Sequence, residues 1–378
     1  MNGGTMISGS PRELLAQIPA NVRERRLARG LSLFTLNLTS YLVLVSAACL
    51  APGCLARSAC VLVAGGVIGS LYVIGHDAGH GSFVPGRRLN RWLARIAFLP
   101  AYAPLASWYH AHVLLHHRFL RVRGRDMAWV PWSHEDYRRA SLWRRTCYRF
   151  LRTPVGLSFY WTAGNWVPHL LFPPTSELGS RVNQFRADRL LVVAYALILY
   201  GYLLLLTWIA TSWRWADPAG PLGVAFLGLV GPYLVWTYLI GMTDLLHHSH
   251  PRAICFNDRS EWDYYSATVV STVHVTLPWW INWLTNNILE HTAHHVDPRV
   301  PLYNLPEAQT RLEGACAGDV QVESFSFGYL LRILRICRLY DYERRQWLDY
   351  DGTPTSPSQR EAISVPPTSQ ASPADTPR

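Results

Sequence analysis

Three stretches of this chain, residues 31–56, 190–213 and 218–243, contain no Asp, Glu or Arg. Each is long enough to cross a bilayer as a helix, which takes about 20 apolar residues. A fourth apolar run, residues 58–75, follows the first after a link that carries only Arg57. The composition points the same way: of 378 residues, 49% are apolar and 16% charged, whereas a soluble chain carries about 25% charged residues. Disorder, a collagen, a disulfide scaffold and a small soluble module are thereby excluded.

The net charge of +10 comes from Arg alone, since the chain has no Lys, and by itself it assigns no function. Its distribution fixes an orientation. Arg23, Arg25, Arg26 and Arg29 precede the first run, whereas Arg57 and Arg214 stand alone in the two short links. Positive residues stay on the cytoplasmic side, so the short links are expected outside and the long Arg-rich segments in the cytoplasm. The expected fold is an all-α membrane protein with four transmembrane helices in two hairpins and a cytoplasmic helical cap. Residues 1–30 form a cytoplasmic arm, 31–75 the first hairpin, 76–189 a cytoplasmic or interfacial segment, 190–246 the second hairpin and 247–350 the cap. From Asp351 onward Pro, Ser and Thr dominate, which predicts a disordered tail over 351–378.

The N-terminus has no apolar core of the signal-peptide kind, so the first span is expected to persist as an anchor. The seven cysteines form no Cys-x-x-Cys pair and read as reduced core or membrane residues. Residues 96–109 and 154–174 are apolar but broken by Pro, and read as helices lying in the interface with Trp and Tyr at headgroup depth. Residues 264–289 are uncharged yet hold His274, Pro278, Asn286 and Asn287. They read as interfacial or cytoplasmic, because a fifth crossing would strand the following histidines outside.

The histidines are grouped. His76-Asp-Ala-Gly-His80 ends the second run, and His112-Val-Leu-Leu-His116-His117 lies in the middle segment. His247-His248-Ser-His250 ends the fourth run, and His291-Thr-Ala-His294-His295 lies in the last segment. With 15 histidines in the chain, a chance His-x-x-His-His is expected only about 0.02 times. Residues three and four apart share a helix face, so each box is expected to point its rings in one direction. All the boxes fall on one side of the membrane under the orientation fixed by the arginines.

Imidazole is the commonest metal ligand and suits zinc, copper, iron and nickel. One tetrahedral zinc needs four ligands, whereas the chain offers eight in three boxes and at least one more near His248. Two ions with five or six positions each account for that number, and iron leads for an oxygen-activating pair, with manganese and zinc left open by ligand type alone. Asp77 is placed to orient a neighbouring ligand. Asp244, four residues before His248, is either a carboxylate behind a ligand or in water-mediated contact with a metal, or a helix-end charge facing solvent. His110, His134 and His169 fit no box and read as surface or interfacial residues, and His274 as structural. Arg118, Arg121, Arg123, Arg125, Arg138, Arg139, Arg144 and Arg145 suit anionic headgroups, or an acidic electron donor. Nothing points to nucleic acid.

These boxes, His-x(3-4)-His, His-x(2-3)-His-His and His-x-x-His-His around four spans, resemble those of the membrane fatty acid desaturases. The similarity extends over residues 75–351. The runs LLHHSHPR, SEWDYY, STVHVTLPWW, EHTAHHVDPRVPLYNL and CRLYDYERRQWLDYDG are similar in order and spacing to the omega-6 (delta-12) acyl-lipid desaturases, particularly the plastid type. The resemblance implies two iron ions held by His76, His80, His112, His116, His117, His248, His291, His294 and His295. His112 rather than His110 opens the second box, because only it gives the family spacing. The implied reaction is O2-dependent desaturation of a fatty acyl lipid or acyl thioester. There is no His-Pro-Gly-Gly haem motif, so electrons would come from a separate ferredoxin or cytochrome b5. In a bacterium the enzyme would sit in the plasma or inner membrane with its site on the cytoplasmic side. A di-iron hydroxylase or ketolase acting on a carotenoid, sterol or alkane would use the same boxes. A divalent-metal transporter would need polar residues inside the spans, which are nearly free of them, and a scaffold leaves the histidine spacing unexplained.

Overall fold

The computed structural model describes residues 10–213 and 219–360. Among them four helices are long and apolar enough to cross a membrane: Leu27–Leu50, Gly53–His80, Ser176–Ser212 and Pro221–His248. The first two are α1 (Leu27–Leu50) and α2 (Gly53–His80). An amphipathic helix, α3 (Arg87–Phe98), follows. The third crossing is built on α4 (Val182–Ser212), and the fourth ends in α5 (Gly231–His248). The link that holds Arg214 lies outside the described residues.

Composition bounds the first run at residue 56, but its helix stops at Leu50. Ala51 is extended, with ψ 145°, the conformation that a following proline imposes, and Pro52 supplies it. The second helix then starts at Gly53 and absorbs the rest of the run. At 28 residues α2 is about 42 Å long, more than the ~30 Å hydrocarbon layer. It therefore continues without a break through the first histidine box and ends only at Gly81, whose φ of 76° suits a residue without Cβ.

Beyond the spans the chain forms short elements. Residues 96–109 break at Pro100 and Pro104, as expected, and lead into a wide π-type helix, Tyr109–His116. A second π-type helix, Tyr160–Leu171, contains Pro168. Of the aromatic residues in these two stretches Trp108 and Trp161 are buried and wall the interior, while Phe159 and Phe172 are exposed. Gly79 makes room for this, since a Cβ there would lie 2.2 Å from Trp108 Cζ3. Leu71, Ile74, Phe98, Trp108 and Trp236 share one core that joins α2, α3, the first π-type helix and α5.

Residues 264–289 contain no crossing helix. They form β1 (Val273–Thr276) and the short helix α6 (Trp279–Leu284), and α7 (His291–Val296) follows. Strand β1 pairs in parallel with β2 (Gln321–Ser324), Val273 opposite Gln321. Farther on, β3 (Leu339–Asp341) pairs antiparallel with β4 (Gln346–Leu348). The first residues of the expected tail are ordered by this last pair. Pro354 bridges to Leu348, Thr355 N–H donates to Trp347 O at 2.8 Å, and Gln359 N–H donates to Arg345 O at 3.1 Å. The backbone there has a strand edge to bond, which a composition rich in Pro and Ser does not reveal. Residues 361–378 lie outside the described residues.

Candidate metal centre

The eight histidines of the three boxes and His248 converge in two groups. His76, His80, His112, His117 and His294 form one, and His116, His248, His291 and His295 the other. Within each group the ring nitrogens lie within 4.8 Å of one another. Only the first box stays together, on the face that α2 gives to residues four apart. The expectation that each box points one way fails for the other two. His112 and His117 share a group because the helix there is wide: His117 N–H donates to His112 O at 2.9 Å, a five-residue step. His116 therefore turns to the other group. In α7, His291 and His295 are four apart and meet, while His294 faces the first group.

The ring nitrogens carry the case for a cation. His112 Nε2 is 2.8 Å from His76 Nε2 and 3.0 Å from His117 Nε2, and His294 Nε2 is 3.1 Å from His117 Nε2. In the second group His291 Nε2 is 3.0 Å from His248 Nε2 and 2.9 Å from His295 Nε2. A neutral imidazole carries one N–H, so a nitrogen facing two others leaves lone pairs pointing together. Two nitrogens at right angles around an ion with metal–nitrogen bonds of ~2.1 Å are about 3.0 Å apart. The observed spacings match that edge.

Burial is the first cause, and the neighbouring rings the second, that hold His112, His117, His291, His294 and His295 well below the ordinary imidazole pKa. All five are thus neutral, the form that binds a metal. The outward Nδ1 atoms of His248, His291, His294 and His295 are buried without a partner. His116 differs, because its Nδ1 lies 2.8 Å from Asp126 Oδ1. Asp126 is itself held by Arg121 N–H at 2.7 Å and Ala128 N–H at 2.9 Å. A carboxylate–imidazole pair of this kind would orient His116 as a ligand. Nothing in the sequence distinguishes Asp126 from other acids in an Arg-rich run, since the contact needs the turn that follows His117.

The two carboxylates singled out from sequence sit differently. Asp77 approaches His76 Nδ1 at 3.5 Å without making that hydrogen bond, because adjacent helical residues do not face each other. It instead accepts a hydrogen bond from Leu302 N–H, tying α2 to the segment after α7. Asp244 lines the interior with His116 and His248, and its Oδ2 is enclosed without a hydrogen-bond partner. The solvent-facing alternative therefore falls. His110 lies 3.8 Å from Glu177, His274 pairs with Glu313 and His250 with Glu323, all outside the two groups. The ring of His247 stacks on that of His291 at 4.0 Å. Arg121, read with its neighbours as a headgroup cation, is fully buried and donates to Cys255 Sγ at 2.9 Å.

A cavity of about 370 Å³ opens beside both groups, within the size range of small-ligand pockets. His76, His112, His116, His248 and His291 close one side, and Val73, Trp161, Trp236, Ile240, Ile288 and Phe325 make most of the remainder apolar. Metals that stand at such a wall would face a ligand with almost no polar surface.

Comparison with known proteins agrees with this chemistry. The sn-1 oleoyl-lipid 12-desaturase of Synechocystis sp. is 30% identical over 275 residues, 72% of each chain. The protein of the same name from Picosynechococcus sp. is 28% identical over 337 residues, 88% of this chain and 90% of the relative. The chloroplastic omega-6 fatty acid desaturase of Arabidopsis thaliana is 26% identical over 305 residues, 78% of this chain and 61% of the relative. The family model for fatty acid desaturase matches residues 52–326, which include all nine clustered histidines and three of the four apolar helices, so the chain is a membrane protein that belongs to the fatty acid desaturase family.

Proposed function

We propose that this chain is an acyl-lipid desaturase that places a double bond at the delta-12 (omega-6) position of a membrane acyl chain. The observation that carries the reading is the apolar cavity walled at one side by two converging histidine groups. The relatives named as lipid 12-desaturases support the position of attack. In this reading His76, His80, His112, His117 and His294 hold one iron, and His116, His248, His291 and His295 hold the other, with Asp244 supplying a carboxylate beside the four-histidine group. When bound, the iron pair supplies the redox chemistry by which O2, two electrons and two protons convert a –CH2–CH2– unit to –CH=CH– and two waters.

The protein's own part is position and dryness. Asp126 fixes the His116 ring with Nε2 turned inward, and the stacked His247 ring limits rotation of His291. A methylene chain has no polar handle at its middle, so the shape of the cavity selects the carbons presented to the histidine wall. Trp161 and Trp236 are among its apolar lining, which excludes water. The positive-inside bias supports a multi-pass placement, in the plasma or inner membrane if the chain is bacterial, with both histidine groups on the cytoplasmic side. There they meet a separate donor, a ferredoxin or cytochrome b5.

Expression in a host without polyunsaturated lipids, followed by fatty-acid analysis, tests the reading. The expected result is a diene with its new bond at carbon 12. An unchanged profile from folded, iron-loaded protein with a competent donor contradicts it.

A further inference from the structure

Helix α6 exposes Trp279 at 80%, Trp280 and Trp283 at 51% each and Leu284 at 54%. No charged residue occurs anywhere in residues 264–289. So dense an apolar face calls for a covering partner. Its position identifies one. Ser70 Oγ donates to Leu284 O, and Asn286 Nδ2 donates back to Ser70 O at 3.0 Å. Ser70 belongs to α2, ten residues before His80 and thus about 15 Å along the axis from that end. The segment therefore reaches down beside a crossing helix to the depth of the acyl chains, yet it is too short to cross.

Backbone at that depth must find its hydrogen bonds inside the protein, and here it does. Thr285 N–H donates to Ile281 O at 2.9 Å, Asn286 N–H to Trp283 O at 3.1 Å and Asn287 N–H to Asn282 O at 2.9 Å. Asn286 and Asn287 both take positive φ, 55° and 56°, and reverse the chain toward His291. Asn287 Nδ2 secures the return on Leu302 O at 3.0 Å. The opposite face of the segment is functional ground: Ile281, Thr285 and Ile288 line the cavity.

We propose that residues 277–289 form a re-entrant flap in the lipid leaflet, through which the substrate chain is drawn sideways from a membrane lipid. Its outer face of Trp279, Trp280, Trp283 and Leu284 meets lipid, its inner face bounds the acyl cavity, and the Ser70–Asn286 pair anchors its returning end. This rests on the acyl reading of the cavity. What it adds to that reading is the route: the chain enters sideways from the leaflet, past this segment.

The test uses full-length protein in phospholipid vesicles with a nitroxide at Trp280→Cys, in a background with Cys54→Ser, Cys60→Ser and Cys147→Ser, which removes every cysteine that is not buried. References are placed at Leu197→Cys on the exposed face of α4 and at Asp258→Cys in an exposed loop. Collision with O2 should exceed collision with a water-soluble nickel chelate, as at position 197. A label reached by the chelate as at position 258, or immobilised and shielded from both reagents by another protein surface, overturns the flap. In parallel, oleoyl phospholipid in the vesicle should be converted at least tenfold faster than oleoyl-coenzyme A added in water. Equal rates overturn sideways admission. Conversion of neither refutes the acyl reading, and the depth of the label separates that failure from failure of the flap.

Discussion

Asp126 is the residue whose effect is most sharply separable, because it touches one ligand through one bond. Its carboxylate holds His116 Nδ1 at 2.8 Å, and outer partners of this kind change metal affinity by about 10–100-fold. Asp126→Ala should therefore lower retention of the second metal by at least tenfold in chelator competition and leave the five-histidine group loaded. Equal retention would show that His116 needs no orientation. The buried rings predict a pH response. His112, His117, His291, His294 and His295 resist protonation in the fold, whereas the unfolded chain binds protons near the ordinary value of about 6.5. Below that value the unfolded state holds more protons, so the stability of metal-free protein should fall as pH drops through about 6.5 and level off above it. Denaturant unfolding in detergent from pH 5 to 8 checks this, and a flat or opposite trend contradicts the neutral cluster.

At the scale of elements, the wide turn over Tyr109–His116 and the unbroken end of α2 decide how the boxes are shared. The three histidine boxes are legible in the sequence, because their grouping is improbable by chance, whereas His248 is told from His247 and His250, and His112 from His110, only by the family resemblance. The division of the nine between two groups is not legible, since it depends on a five-residue step that ordinary helical spacing does not anticipate. Asp126 is likewise hidden until the turn after His117 is known. Gly79 is the point at which this arrangement is most easily broken. A Cβ there would meet Trp108 at 2.2 Å, and Trp108 stacks on His112 with ring centroids 4.9 Å apart. Overpacking of this kind costs about 1–3 kcal/mol. Gly79→Val should lower the melting temperature and deplete the five-histidine group first, as read by metal content. Gly66, whose Cβ would meet nothing within 4 Å, is the control, and Gly66→Ala should retain both metals.

For the whole molecule, the four spans are legible because lipid demands long uncharged helices, whereas their ends are set by local features such as Pro52 and Gly81. The order of residues 351–360 depends on the β3–β4 pair and escapes composition altogether. The orientation is open to a direct check through Cys54, which is exposed at the start of α2, the end opposite the histidines. A membrane-impermeant maleimide added to intact cells should label Cys54, and Cys54→Ser should abolish that label. Labelling only after the cells are broken would reverse the topology. The two histidine groups imply two metal positions built from nine imidazoles. Iron analysis with Mössbauer spectroscopy on purified protein tests this most directly, by counting about two irons per chain in wild type and about one in each of His294→Ala and His291→Ala. A single bound ion, or a count unmoved by either substitution, would contradict it.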